Sequence, residues 1–237
     1  RIPKGKGISW YAGIVIRTSL MLIVLGWAAI YFAEFVGYNR MMATDDAILS
    51  ALFQSITART AGFNTLDIGG MTNVSLMVLL FLMFIGGAPG SCAGGIKVTT
   101  LRVLAAAMWS QMRGKAQASI GKYAIRENAV KKAMVLFILA SMIIFMVAFL
   151  LDFTEGGNKP HLVVRGQFLE ILFETVSAFG TARLSTGLTG KLSPPGKVII
   201  MFLMFVGRLG PLVLLSSIQS MRTKILFSQP EVKLSVG

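Results

Sequence analysis

The sequence is poor in charged residues and contains a single cysteine and a single histidine. Charged residues make up 14% of the 237 positions and hydrophobic residues 54%, whereas a soluble domain would carry roughly a quarter charged residues. We therefore predict an integral membrane protein. Because Cys92 has no second cysteine to pair with, an internal disulfide is excluded. No nucleophile with a base, metal-ligand cluster or phosphate loop in an α/β domain stands out, so we do not expect an enzyme.

Acidic residues are scarce as well, and the charges are unevenly distributed. Ten Asp and Glu stand against 23 Lys and Arg, which gives a formal net charge of +13. Residues 1–17, 97–132 and 222–233 hold 15 of the 23 basic residues and only two of the ten acids. This pattern follows the positive-inside rule. We expect these stretches on the cytoplasmic side of a membrane and expect no nucleic-acid partner.

Apolar runs predict four membrane-spanning segments, of which the second is interrupted. A spanning helix needs about 20 apolar residues. The second run meets five glycines and one proline in residues 86–95, here named the glycine-rich loop. Because glycine and proline do not continue a stable helix, we predict a broken helix with an irregular loop at membrane depth. The four runs cover residues 11–36, 74–85 resuming at 96–109, 133–151 and 198–218.

An internal repeat is the strongest pattern in the chain. Leu52 and Phe53 return as Leu172 and Phe173, an offset of 120 residues, and later blocks return at an offset of 121. In each copy a helix too short to span, which follows Asp45 or Asp46 and runs to about residue 58 in the first copy and covers residues 166–179 in the second, precedes a polar stretch. Polar backbone at membrane depth is tolerated only where it lines a water-filled path or is buried in protein. We name residues 60–63 the first polar loop and residues 181–184 the second polar loop.

The repeat predicts an all-α membrane protein with two tandem units, each a span, a short re-entrant helix, a polar loop and a second span. Asp45 or Asp46 is expected to cap the first short helix. Both repeats would start on the cytoplasmic side, which fits a channel-like ring better than the inverted repeats of many secondary transporters. Because the chain starts at Arg1, we expect a segment of a longer protein. The predicted units are residues 1–110, a basic cytoplasmic linker at 111–132, residues 133–221 and a basic cytoplasmic tail at 222–237.

The sequence resembles the Trk/Ktr/HKT superfamily of potassium and sodium transporters, and most of all the bacterial Ktr-type membrane subunit. Residues 55–65, the glycine-rich loop, residues 177–188 and the Gly-Arg-x-Gly-Pro segment at 207–211 carry the resemblance, which covers nearly the whole chain. Because members have four such repeats around one pore, the resemblance implies the C-terminal half, repeats three and four. It implies potassium transport across a bacterial plasma membrane. The rest of the chain, or a second copy in a homodimer, would complete the pore, with a cytosolic nucleotide-binding ring as regulator.

The resemblance also implies roles for the loops. The polar loops would form a selectivity filter whose backbone carbonyls coordinate K⁺, or alternatively Na⁺, without a cofactor or transition metal. The glycine-rich loop would be an intramembrane gate held by an arginine; the alternative is a helix kink without a gating role. The predicted filter residues are Thr60, Ala61, Gly62, Phe63, Thr181, Ala182, Arg183 and Leu184, and the predicted gate residues are Gly86, Gly87, Gly90, Ser91, Cys92, Gly94, Gly95 and Arg208.

Arg183 departs from the family pattern, which has glycine at this position. A guanidinium in the pore would repel cations; one turned away would need a buried partner, and Glu174 is the nearest acid in sequence. A side chain here would also strain a backbone with positive φ. Three alternatives stay open: a variant with altered conduction, including a non-conducting or Na⁺-selective subunit; an arginine behind the filter; and an error in the sequence.

Two further charged residues, Arg208 and Glu155, require an explanation in a membrane protein. Arg208 is in mid-membrane, and Gly87 is its repeat-equivalent position. We expect Arg208 to donate to carbonyls of the glycine-rich loop; the alternative is a salt bridge to Glu174. Glu155 is expected to be a solvated acid of the outer face.

Overall fold

The computed structural model is helical apart from one small hairpin in the part of the chain that it describes. The described residues are 9–38, 41–115, 117–156, 160, 162–164 and 166–210. The elements in chain order are α1 (Trp10–Tyr31), continued by a π-helical segment (Phe32–Gly37), α2 (Thr44–Thr57), α3 (Asn73–Phe84), α4 (Val98–Met112), β1 (Ser119–Ile120), β2 (Tyr123–Ala124), α5 (Glu127–Gly156), α6 (Gln167–Gly180), a 3₁₀ turn (Thr189–Lys191) and α7 (Pro194–Leu209).

Two of the described helices are long and apolar enough to cross a membrane. Helix α1 with its π-helical continuation has 28 residues and α5 has 30. At about 1.5 Å per residue both exceed a hydrocarbon core of about 30 Å. Phe145 and Phe149 of α5 are 64% and 68% exposed, as expected of side chains that face lipid. The rest of the predicted fourth span beyond Gly210 and the predicted tail lie outside the described residues.

The order long helix, short helix, polar loop and further helix occurs twice along the chain. The two short helices, α2 and α6, have 14 residues each. Within each half the long helix packs on the short one, and α3 packs against α6 to join the halves. Phe173 and Phe179 of α6 are fully buried together with Leu79 and Met83 of α3. The polar loops therefore leave helix ends that are fixed in the hydrophobic core.

Several predicted boundaries differ from the structure. The cap predicted for α2 is wrong: Ala43 is the N-cap residue, no side chain caps it, and Asp45 and Asp46 lie inside the first turn. In the first turn, the two carboxylates still interact favourably with the positive end of the helix dipole. The linker predicted over residues 111–132 is shorter at both ends because α4 runs to Met112 and α5 begins at Glu127. The middle of this linker forms the hairpin of β1 and β2, which the basic composition of the linker did not predict.

A glutamate near the C-terminal end of each long helix binds the N-cap residue of a later helix, α3 in the first half of the chain and α7 in the second. Glu34 Oε1 accepts from Thr72 N at 2.7 Å and from Thr72 Oγ1 at 2.8 Å. Glu155 accepts from Ser193 N at 3.0 Å and from Ser193 Oγ at 2.6 Å. Thr72 and Ser193 are the N-cap residues of α3 and α7. The expectation that Glu155 is merely solvated is wrong because its carboxylate fixes this cap.

Candidate functional site

The two polar loops share an unusual backbone. Thr60 and Gly62 have φ of 74° and 84°, and Thr181 and Arg183 have φ of 52° and 66°. These four positions correspond at the repeat offset of 121 residues. In each loop left-handed residues stand two apart. Such alternation turns successive peptide groups toward the same side, so that their carbonyl oxygens can line one path.

A hydroxyl from the preceding helix fixes the end of each polar loop. Ser177 Oγ donates to Leu184 O at 2.6 Å and accepts from Leu184 N at 3.1 Å. Thr57 Oγ1 likewise donates to Phe63 O and accepts from Phe63 N, the second bond at 2.9 Å. Both hydroxyl residues are buried. Each polar loop therefore starts at a helix end and is bonded back to that same helix.

Glu174 lies behind the second polar loop and not beside Arg183. Its Oε1 accepts from Ser185 Oγ at 2.6 Å and from Thr186 N at 2.9 Å, and its Oε2 accepts from Thr189 Oγ1. The predicted pair of Glu174 with Arg183 is wrong because these donors occupy both carboxylate oxygens. The acid instead fixes the segment that follows the second polar loop.

Arg183 is exposed and lies against the other polar loop. A Cβ built on Gly62 would be 2.8 Å from the Cβ of Arg183. Among the described residues the Arg183 guanidinium has no hydrogen-bond or ion-pair partner. Its left-handed backbone costs a side chain about 1–2 kcal/mol, which a glycine would not incur. The predicted strain at this position is therefore present.

The glycine-rich loop is closed at its base by backbone hydrogen bonds. Gly86 N donates to Ile96 O at 2.8 Å, and Ile96 N donates to Phe84 O at 3.0 Å. Ile85 and Ile96 form an isolated parallel bridge. The break between α3 and α4 is thus an ordered loop whose two ends meet, as the predicted broken helix requires.

Side chains from three other elements, and one from its own C-terminal end, hold the glycine-rich loop. Arg208 Nη1 donates to Cys92 O, so the contact predicted for Arg208 is present and its alternative salt bridge to Glu174 is wrong. Arg59 Nη2 donates to Gly86 O at 2.9 Å. Gly94 N donates to Thr181 Oγ1 at 3.0 Å, which joins this loop to the second polar loop. Lys97 Nζ donates to Ala93 O.

Sequence reasoning missed Arg59 and the hydroxyl of Thr181 as anchors of the glycine-rich loop. Arg59 could have been found because a charge at membrane depth predicts a specific acceptor. The hydrogen bond from Gly94 to Thr181 joins residues 87 positions apart, and no local sequence pattern predicts it.

Close packing explains several of the glycines. A Cβ on Gly94 would lie 2.7 Å from Phe179 O, and one on Gly86 would lie 1.9 Å from Gly94 O. Side chains at these positions would force backbone apart. Gly90 and Gly95 instead have φ of 84° and 69°, a conformation that favours glycine. Gly87 lies against Ser91, and Ser91 and Cys92 are exposed.

The electrostatics of the glycine-rich loop are positive. Arg59, Lys97 and Arg208 all donate to its carbonyls, and no acid is hydrogen-bonded to it among the described residues. The described part of the chain also contains no group of His, Cys, Asp and Glu suited to a transition metal.

Comparison with known proteins decides the family. The profile of the TrkH family, described as a cation transport protein, matches residues 8–225. The chain belongs to this family. The match covers nearly all of the chain, including both polar loops and the glycine-rich loop.

Three relatives give the same assignment. The chain is 35% identical over 214 residues to Ktr system potassium uptake protein B of Bacillus subtilis, covering 90% of this chain and 46% of the relative. It is 37% identical over 203 residues to the protein of that name in Vibrio alginolyticus, covering 85% and 42%. It is 32% identical over 235 residues to potassium/sodium uptake protein NtpJ of Enterococcus hirae, covering 98% and 51%.

The fold matches a solved member of the family. The structure of the potassium transporter TrkH from Vibrio parahaemolyticus superposes with a TM-score of 0.66 and 22% identity, over 87% of this chain and 44% of that one. The chain thus spans about half the length of the relatives it matches. It is a helical membrane protein of a cation-transport family, and its relatives are transporters and not enzymes.

Proposed function

We propose that this chain forms half of the pore of a bacterial potassium uptake system of the Trk/Ktr type. The observation that carries the proposal is the matched pair of polar loops. Each starts at the end of a buried short helix, has left-handed residues two apart and is bonded back to its helix by a hydroxyl. Two unrelated turns would not share these three features at equivalent positions.

The polar loops act as the selectivity filter. Backbone carbonyls of residues 60–63 and 181–184 replace the water that K⁺ loses on entry. The hydroxyls of Thr57 and Ser177 keep the end of each loop from collapsing onto the ion. Glu174 adds rigidity behind the second polar loop without presenting its charge to the ion, since its oxygens are taken by Ser185, Thr186 and Thr189.

The glycine-rich loop acts as the gate on the cytoplasmic side of the filter. Its hydrogen bonds to Arg59, Thr181 and Arg208 hold it in the closed arrangement, and conduction requires that some of them break. The two arginines also repel a cation that approaches the closed loop. Because Thr181 belongs to the second polar loop, movement of the gate is transmitted directly to the filter.

A second candidate function rests on Arg183. Its exposed guanidinium has no partner among the described residues and lies against Gly62 of the other polar loop. A cation held there lowers the occupancy of K⁺ in the filter. The chain would then be a non-conducting or Na⁺-selective subunit of the same fold.

The proposed assembly follows from the number of polar loops in the two repeats. Two polar loops need two more to surround an ion, supplied by further repeats of the same chain or by a second copy in a homodimer. Both repeats begin at basic segments of the sequence, and by the positive-inside rule the proposed orientation has these segments and the hairpin of β1 and β2 on the cytoplasmic side. A nucleotide-binding ring would regulate the gate from that side.

Uptake of ⁸⁶Rb⁺ into proteoliposomes tests the proposal with the complete transporter, comparing the natural sequence with Arg183→Gly and Arg183→Ala. Both substitutions remove the charge, but only glycine also relieves the left-handed strain. Equal uptake by all three means that Arg183 is turned out of the path and supports potassium transport. Uptake only by the variants supports the second candidate. Absence of uptake by all three folded proteins contradicts a conducting filter.

A further inference from the structure

A cavity between α1, α4 and the hairpin has the chemistry of a binding site for an anionic amphiphile. It measures about 460 Å³ and is lined by residues of all three elements. Two arginines, Arg17 of α1 and Arg102 of α4, line it together. No acidic side chain is among its lining residues. Among the described residues neither guanidinium has a hydrogen-bond or ion-pair partner, so two unpaired cations share one cavity.

The walls of the cavity are apolar beside these charges. Ile14, Ile16 and Met21 contribute apolar side chains on α1, and Trp10 also lines the cavity. Trp10 packs edge-on against Tyr123 with ring centroids 4.9 Å apart, which fixes the hairpin against the start of α1. Tryptophan and tyrosine are typical of the membrane–water interface. A soluble anion would use the arginines but not the aliphatic wall.

We propose that this cavity binds one anionic phospholipid of the cytoplasmic leaflet. Arg17 and Arg102 hold the phosphate, since a guanidinium fork matches phosphate oxygens. The aliphatic wall of α1 contacts the start of the acyl chains. The volume falls within the range of ordinary small-ligand pockets, which suits a glycerophosphate group. The site is independent of the polar loops and would exist whether or not they conduct.

Two kinds of variant test the site in the complete transporter. Arg17→Gln with Arg102→Gln removes the phosphate ligands, and Arg113→Gln with Arg126→Gln removes the same charge from the basic segment outside the cavity. Gly13→Leu fills the cavity while both arginines remain. Gly13 lines the cavity, and a Cβ there would meet nothing within 4 Å. Leucine is also a better helix former than glycine, so this variant should fold.

The measurement is binding of phosphatidylglycerol to detergent-purified protein by native mass spectrometry, with phosphatidylethanolamine as the zwitterionic comparison. We expect one bound phosphatidylglycerol. Each arginine contributes about fivefold to its affinity, so the double cavity variant loses about twenty-five-fold and the control pair loses little. Gly13→Leu also loses the lipid. Four results would each overturn the proposal. Two concern the variants: an equal loss of lipid in the control pair, and no effect of Gly13→Leu. The other two are competition by free inorganic phosphate, and no specifically bound lipid because another part of the protein fills the cavity.

Discussion

Substitution of Gly94 by alanine should loosen the glycine-rich loop and raise ion flux. A Cβ at Gly94 would lie 2.7 Å from Phe179 O and 3.0 Å from both Gly180 C and Gly180 O, where ordinary contact begins near 3.4 Å. All of these atoms belong to backbone at the end of α6, which is fixed in the core. The loop must therefore move away from α6, and the bond from Gly94 N to Thr181 Oγ1 breaks.

The size of the effect follows from the two contacts that change. A lost hydrogen bond costs about 1 kcal/mol and overpacking about another 1–3 kcal/mol. If the closed arrangement alone makes these contacts, it loses about 2 kcal/mol relative to the open one at the lower end of this range. The ratio of open to closed transporters then rises about thirtyfold.

The assay is ⁸⁶Rb⁺ flux into proteoliposomes in the Arg183→Gly background, so that the second polar loop does not limit conduction. Gly90→Ala is the matched control, because Gly90 has φ of 84° and a Cβ there would meet nothing within 4 Å. It introduces a left-handed strain that Gly94→Ala lacks, and it makes no contact with α6, so it tests whether loosening of the loop without that contact has the same effect. Unchanged flux in a folded Gly94→Ala transporter, or an equal rise in Gly90→Ala, would refute the gating role of the contact.

Three further outcomes are expected. Arg183→Gly should raise the free energy of unfolding by about 1 kcal/mol through relief of the left-handed strain, read as a higher Tm than that of Arg183→Ala; equal Tm values would contradict this. Glu174→Gln should cost about 1–3 kcal/mol and lower K⁺ over Na⁺ preference in flux assays, since the amide nitrogen cannot accept and so loses either the bonds of Ser185 and Thr186 or that of Thr189, whereas exposed Glu170→Gln should do neither. Ser193→Ala should lower Tm more than Ser141→Ala, because it removes a cap that is bonded to Glu155; similar Tm values would argue against the capping role.

The helices and the position of the broken span could be predicted because they are local patterns. Long apolar runs gave α1 and α5, and the cluster of glycines gave the break between α3 and α4. The repeat also predicted that Arg183 occupies a position equivalent to Gly62, and both have positive φ. These features depend on composition and spacing, which a sequence displays directly.

The partners of buried charges could not be predicted in the same way. Glu174 is the nearest acid to Arg183 in sequence, but its carboxylate accepts hydrogen bonds from three residues in the segment after the second polar loop. The bonds of Glu34 and Glu155 to the N-cap residues Thr72 and Ser193 could have been predicted, because both glutamates and both cap residues recur at the repeat offset of 121 residues. Among the anchors of the glycine-rich loop the contact of Arg208 was predicted, whereas the bond from Gly94 to Thr181 depends on how the end of α6 packs, which only the tertiary structure supplies.

The central claim is that the two polar loops coordinate one line of cations through backbone oxygens. A structure of the complete Arg183→Gly transporter with Tl⁺ in place of K⁺, read by the anomalous scattering of Tl⁺, tests it most directly. The account predicts Tl⁺ between residues 60–63 and 181–184, coordinated by carbonyl oxygens of both loops. Tl⁺ absent from both loops, or carbonyl oxygens that face away from it, would contradict the account.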